Sequence, residues 1–218
     1  MTKRVFICSM VAALIICAAA TPPCIEGINL LPMYGRVKKC PEQLAADKKL
    51  IEDSERMYNS RQQAAAAFVG RAWQHYNANQ LESAMRRFNQ AWLLDSTNAE
   101  LSWGFANILG KQGQDAKSLP FFRLAIARNP TEANVWESAS SSYANIFFAT
   151  QNTAVLDTAI ICLKKSIRLN PANPIAYAIL ADNYSYYPQK DSARKYLAIT
   201  DKLDPTLVSR KDRKRIMR

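Results

Sequence analysis

Four stretches of the chain repeat one spacing of small and large side chains: Ala84, Phe88, Ala91; Ser118, Phe122, Ala125; Ala159, Leu163, Ser166; and Ala193, Leu197, Thr200. Steps of four and three residues keep such positions on one face of a helix. Each stretch therefore predicts an amphipathic helix that a neighbour approaches closely at its small residues. A second apolar stripe precedes each one, with large Phe68, Trp136 and Tyr177 and small Ala72, Ala106, Ser140 and Ala181. Helix pairs are the predicted unit. Polar punctuation closes each pair at Asp95-Ser96, Asn129-Pro130, Asn170-Pro171 and Asp204-Pro205. Proline cannot continue a helix and turns the residue before it away from helical angles.

From Asp95 the closing residues lie 34, 41 and 34 positions apart. A fixed period of this size marks stacked repeats that each bury a face against the next. The third unit is longer because Tyr143 and Ala159 are separated by seven extra residues, which predicts an elongated hairpin with a turn at "TQNT". Gly110 and Gly113 in "GKQG" fall at the turn inside the second pair, where glycine supplies the left-handed conformation that ends a helix.

Upstream, "CPEQLAADKKLIEDSERMY" predicts a further helix, with Pro41 and Glu42 suited to its first turn and Ser60 placed to cap the helix that follows. Such a helix would cover the open apolar face of the first repeat, as solenoids require at their ends.

The helix pairs resemble the tetratricopeptide repeat, a helix-turn-helix of this period, over about residues 65 to 208. The resemblance implies an all-α fold, a right-handed superhelix of stacked antiparallel helix pairs. The repeats would occupy about residues 65–98, 99–132, 133–173 and 174–207, within a region spanning 60–208. A capping helix at 41–59 and an arm at 21–40 would precede them, and a basic tail at 208–218 would follow. "INLLPMYGRVKK" within the arm resembles a motif that precedes repeats in some exported bacterial proteins. The family binds a peptide or a partner protein on the concave face lined by the first helices. Carried over position by position, that face would present Val69, Trp73 and Tyr76, then Trp103, Asn107 and Lys111, then Glu137, Ser141 and Asn145, and finally Ala178, Asp182 and Tyr186. Val69 and Trp73 stand where chaperone-tail receptors of the family place a carboxylate clamp, so that specificity is excluded.

The N-terminal "MTKRVFICSMVAALIICAAA" places Lys3 and Arg4 before a 16-residue apolar run ending in three alanines. This pattern predicts a cleaved secretory signal at 1–20, with an anchored or lipidated form as the alternative. Export to the periplasm or cell exterior would permit disulfides, and Cys24 with Cys40 is the candidate pair. Cys162 sits in an apolar helical stretch and reads as a small core residue.

The formal charge is +11 and falls to +9 without Lys3 and Arg4. Much of the excess is terminal, in Arg210, Lys211, Arg213, Lys214, Arg215 and Arg218, which form a candidate contact for anionic membrane or polymer surfaces, while the plainer reading of "TLVSRKDRKRIMR" is a solvated helix end that caps the last repeat. The tail lacks an aromatic residue to stack on bases, which disfavours nucleic acid. His75 is the one histidine, and the sequence holds no G-x-S-x-G, H-E-x-x-H, C-x-x-C or phosphate-loop pattern. The expectation is a non-catalytic scaffold or adaptor in the cell envelope, without cofactor or metal. A membrane-tethered protein that uses its basic tail is the alternative.

Overall fold

The computed structural model describes residues 23–188 and 190–217, so the predicted signal and Arg218 lie outside the described residues. Among the described residues, two short 3-10 turns, Ile28–Leu30 and Pro32–Arg36, precede ten α-helices. These are α1 (Pro41–Met57), α2 (Arg61–Asn77), α3 (Leu81–Leu94), α4 (Glu100–Lys111), α5 (Asp115–Arg128), α6 (Ala133–Thr150), α7 (Thr153–Leu169), α8 (Pro174–Tyr184), α9 (Asp191–Leu203) and α10 (Arg210–Met217). Helices α2 to α9 form four antiparallel pairs, α2/α3, α4/α5, α6/α7 and α8/α9, each packed on the next.

All twelve residues of the small-large-small stripes are buried, Phe88 and Leu163 completely. The small members let paired helix backbones close up, and the large member fills the space beside them. Gly104 shows how tight this is: a Cβ added there would lie 2.3 Å from the Phe88 ring. The second pair has glycine at that point because the first pair's phenylalanine occupies the room.

The turns repeat as well. At the end of each second helix the backbone N–H of Asp95, Asn129, Asn170 and Asp204 bonds to the carbonyl four residues back. The side chains of Asp95 and Asp204 then accept from the N–H of Thr97 and Thr206, each at 2.9 Å. Asn98, Glu132 and Asn173 cap the helices that follow by accepting from Glu100, Asn134 and Ile175. Inside the hairpins, Asn79, Gly113 and Gln151 take the left-handed conformation. Asparagine and glutamine do at the first and third turns what glycine does at the second.

The seven extra residues extend α6 to Thr150 and bring Phe148 against Tyr186 of the next hairpin, ring centroids 5.1 Å apart. Tyr187 of the same hairpin donates to Asp157 at 2.6 Å. The insertion thus props up a neighbouring turn.

First helices touch one another, α2 with α4 and α4 with α6, while among the described residues the second helices have no comparable contact. The stack therefore curves with α2, α4, α6 and α8 on its inner face. Cys162 is buried, as a small apolar residue in α7 would be, and burial pushes its thiol up to about 11.

The arm is docked. Cys24 and Cys40 are bridged with Cα atoms 5.0 Å apart. Asn89 of α3, fully buried, donates to the carbonyls of Asn29 and Leu31 at 2.9 Å each and accepts from the Tyr34 N–H at 3.3 Å. One amide thus bonds three backbone groups of the arm, in addition to the 3.0 Å bond that the Tyr34 N–H donates to the Leu31 carbonyl within it. Lys39 lies 3.3 Å from the Tyr34 ring centroid and pairs with Asp47 of α1, which ties the arm to that helix too.

Candidate concave binding face

The inner face begins with an aromatic group built by α2 and α4. Trp73 and Trp103 are half-buried with ring centroids 4.6 Å apart. Trp73 also meets Tyr76 edge-on at 5.4 Å and rests on the core ring of Phe88 at 5.2 Å. Each indole N–H has a partner on the next first helix: Trp73 donates to Glu100 at 2.9 Å, and Trp103 to Ser138 at 3.2 Å. The polar edges are thereby held inside the protein's own network, and the ring surfaces are left for apolar contact. Lys111 stands 4.2 Å from the Tyr76 ring centroid, a cation over an aromatic face.

The helix-to-helix linkage continues beyond α6. Asn173 donates to the Glu137 carboxylate at 2.5 Å, yet burial still raises that carboxyl above its ordinary value. Asn145 donates to Asp115 at 3.2 Å, and Ser141 and Asn145 are exposed. Asn107 turns back to donate to the Trp103 carbonyl at 2.9 Å.

At the far end Asp182 pairs with Arg215 of α10, and Arg215 also reaches the Tyr186 hydroxyl at 3.1 Å. Burial raises the Asp182 carboxyl more than the guanidinium lowers it. Ala178 is half-buried beside this junction.

Three expectations need correction. Val69 is only 3% exposed and lies in the core with Phe68 and Ala72, because the narrow inner strip of α2 is used up by Trp73 and Tyr76. Asp182 and Tyr186 are engaged by the protein's own α10. Arg213 and Arg215 are not free for a surface contact, because the tail caps the last repeat as its plainer reading expects: Ile216 is 1% exposed against Ala181, Ala193 and Leu197, and Arg213 holds Asp201 with bonds of 2.5 and 2.8 Å. Among the described residues, those that remain free for an anionic surface are the exposed Arg210, Lys211 and Lys214. Sequence reasoning missed the Asn89 anchor altogether. An asparagine between Phe88 and Gln90 on an otherwise amphipathic helix is a weak signal, and its partners lie about 60 residues earlier.

His75 bonds to Gln80 at 2.7 Å and closes the α2/α3 turn. Among the described residues, one group could approach a metal, namely Cys24, Cys40 and Glu42, but its two sulfurs are bonded to each other and are not free thiolates. Among those residues no helix is long and apolar enough to cross a membrane.

No protein-family model matches the chain, and no curated protein matches it in sequence. Solved structures do match in shape. TTC0263, a thermophilic TPR protein in Thermus thermophilus, is 18% identical with a TM-score of 0.59, over 70% of this chain and 79% of that one. The chain carries the tetratricopeptide-repeat fold. A chain of the APC/C hetero-tetramer Cut9-Hcn1 is 14% identical with a TM-score of 0.62, over 71% of this chain but 29% of its own. MamA from Desulfovibrio magneticus RS-1 is 16% identical with a TM-score of 0.55, over 75% and 97%. At these identities what is shared is the repeat fold, and the arm, bridge and C-terminal cap must be read from this chain alone.

Proposed function

We propose that the protein is a non-catalytic scaffold or adaptor that holds a peptide or a partner protein on its concave face. The observation that carries this reading is the Trp73–Trp103 pair, half-buried on that face with both indole N–H groups already satisfied. Rings fixed in this way bury a ligand's apolar side chains with little ordering cost. The polar stretch beyond, from Glu137 to Asn145, suits hydrogen bonding over a longer segment. The site of action is the cell envelope: the first twenty residues have the pattern of a secretory signal, and a Cys24–Cys40 bridge suits an oxidising compartment.

Crosslinked pull-down from the source organism's envelope fraction, using the chain from residue 21, tests this. A folded Trp73→Ala/Trp103→Ala variant should lose a specific partner, with a cost of about 2 kcal/mol or more for an aromatic anchor. Equal recovery by a variant with an unchanged melting temperature would refute the concave site.

A further inference from the structure

A second recess lies away from the tryptophan pair, where the arm meets α5. It is an open cleft of about 480 Å3. Leu31, Met33, Phe121 and Leu124 make it apolar, and Leu31 and Leu124 are 48% and 36% exposed. Arg36 and Lys117 stand in its lining, which contains no acidic residue. Their side chains reach nothing stronger, among the described residues, than the Met33 sulfur at 3.5 Å and the Gln114 amide oxygen at 3.1 Å. Two cations beside an apolar trough are thus left without a counter-charge from those residues.

The backbone around the cleft is unusual on both sides. Pro120, also in the lining, lies inside α5 and has no N–H for the carbonyl of Ala116, four residues back. Across from it, Met33, Tyr34, Gly35 and Arg36 all have positive φ, from 53° to 64°. A left-handed turn costs roughly 1–2 kcal/mol for each residue bearing a Cβ, and such strain collects at functional sites. The disulfide and Asn89 hold that turn in place and set Met33 and Arg36 at the cleft.

We propose that this cleft is a second docking site, which takes an extended peptide segment of a partner protein bearing apolar side chains and carboxylates. Carboxylates complement Arg36 and Lys117, and apolar side chains cover Leu31, Phe121 and Leu124. The site is separate from the concave face and stands whether or not that face is occupied.

Selection of displayed random short peptides on the full chain, with its disulfide intact, tests the proposal. Acidic, apolar peptides should be enriched. Their affinity should fall about tenfold or more with Arg36→Glu/Lys117→Glu. Leu124→Asp, at an exposed position that leaves the core untouched, should weaken them as well, and Trp73→Ala/Trp103→Ala should not. Enrichment of basic or neutral peptides, or acidic peptides indifferent to both the charge reversal and Leu124→Asp, would overturn it. Decanoate bound at Lys117 with no peptide recovered would overturn the peptide assignment.

Discussion

At the N-terminal end of the solenoid, residues 24–40 are tied back by a disulfide and by one buried amide that makes three backbone hydrogen bonds. At the C-terminal end, α10 is held by one buried side chain, Ile216, and by ion pairs with solvent access. Both devices cover an apolar face that a finite stack must expose. The first is covalent and directional, so it can hold a strained turn in one shape. The second is an amphipathic helix of eight residues, too short to persist alone in water. Its hold on Asp182 and Tyr186 therefore depends on that one apolar contact and on the Arg215 pair.

The largest expected effect breaks the N-terminal device. Opening the bridge with Cys24→Ser, across a sequence separation of 16, should cost about 3 kcal/mol in urea unfolding. Asn89→Ala should cost somewhat less, roughly 1–3 kcal/mol, because it orphans the Asn29 carbonyl while the Tyr34 N–H and the Leu31 carbonyl keep their bond to each other. The two changes act on one loop, so the double variant should lose less than the sum of the singles. Full additivity would mean that bridge and amide hold different structures.

The C-terminal device should be weaker. Ile216→Ala is expected to cost about 2 kcal/mol, the low end for a buried isoleucine, because the eight-residue helix can detach instead of leaving a cavity. Amide hydrogen exchange should then speed up in α10 while α2 and α3 stay protected. Arg213→Ala should cost no more than about 1 kcal/mol, as for a pair with both side chains about a third exposed. A larger loss for Arg213→Ala than for Ile216→Ala would make this end electrostatic.

The smallest effect lies between the ends, at Glu137. Burial raises its folded carboxyl value above the ordinary one despite the Asn173 donor. Its favourable contribution is therefore fully present below the ordinary carboxylate range and is lost as pH rises through the raised folded value. Glu137→Gln keeps an acceptor for Asn173 and removes the buried charge. It should raise the melting temperature slightly at about pH 7 and leave it unchanged near pH 4, where the carboxyl is already protonated. Destabilisation at neutral pH would show that the ionised carboxylate is needed where it sits.

The repeat assigns Val69, Trp103 and Glu137, 34 residues apart, to equivalent places on successive first helices, yet Trp103 and Glu137 are half-buried and Val69 is not. Val69 was misplaced since the same register also supplies core positions, and one residue of rotation separates the two. The docked arm was not legible. Its contacts join Asn29, Leu31 and Tyr34 to Asn89 across more than fifty residues, and no local pattern encodes that distance. The α10 cap was half legible: its charges and its place at the end of the last repeat were evident, while the single apolar residue that seats it, Ile216, carries no period.

By itself the sequence determined the helix pairs, their spacing and their turns. Those follow from local rules: small and large residues at helical steps, asparagine, aspartate or glycine where a helix ends, and proline where it cannot continue. Only the tertiary structure decided which tryptophan surfaces stay accessible, how the two ends are closed, and that a left-handed turn faces a proline-interrupted helix across an apolar cleft. Those features depend on side chains far apart in the chain meeting in space. Their energies come from burial and pairing after the repeats have stacked, when the local code has already been used.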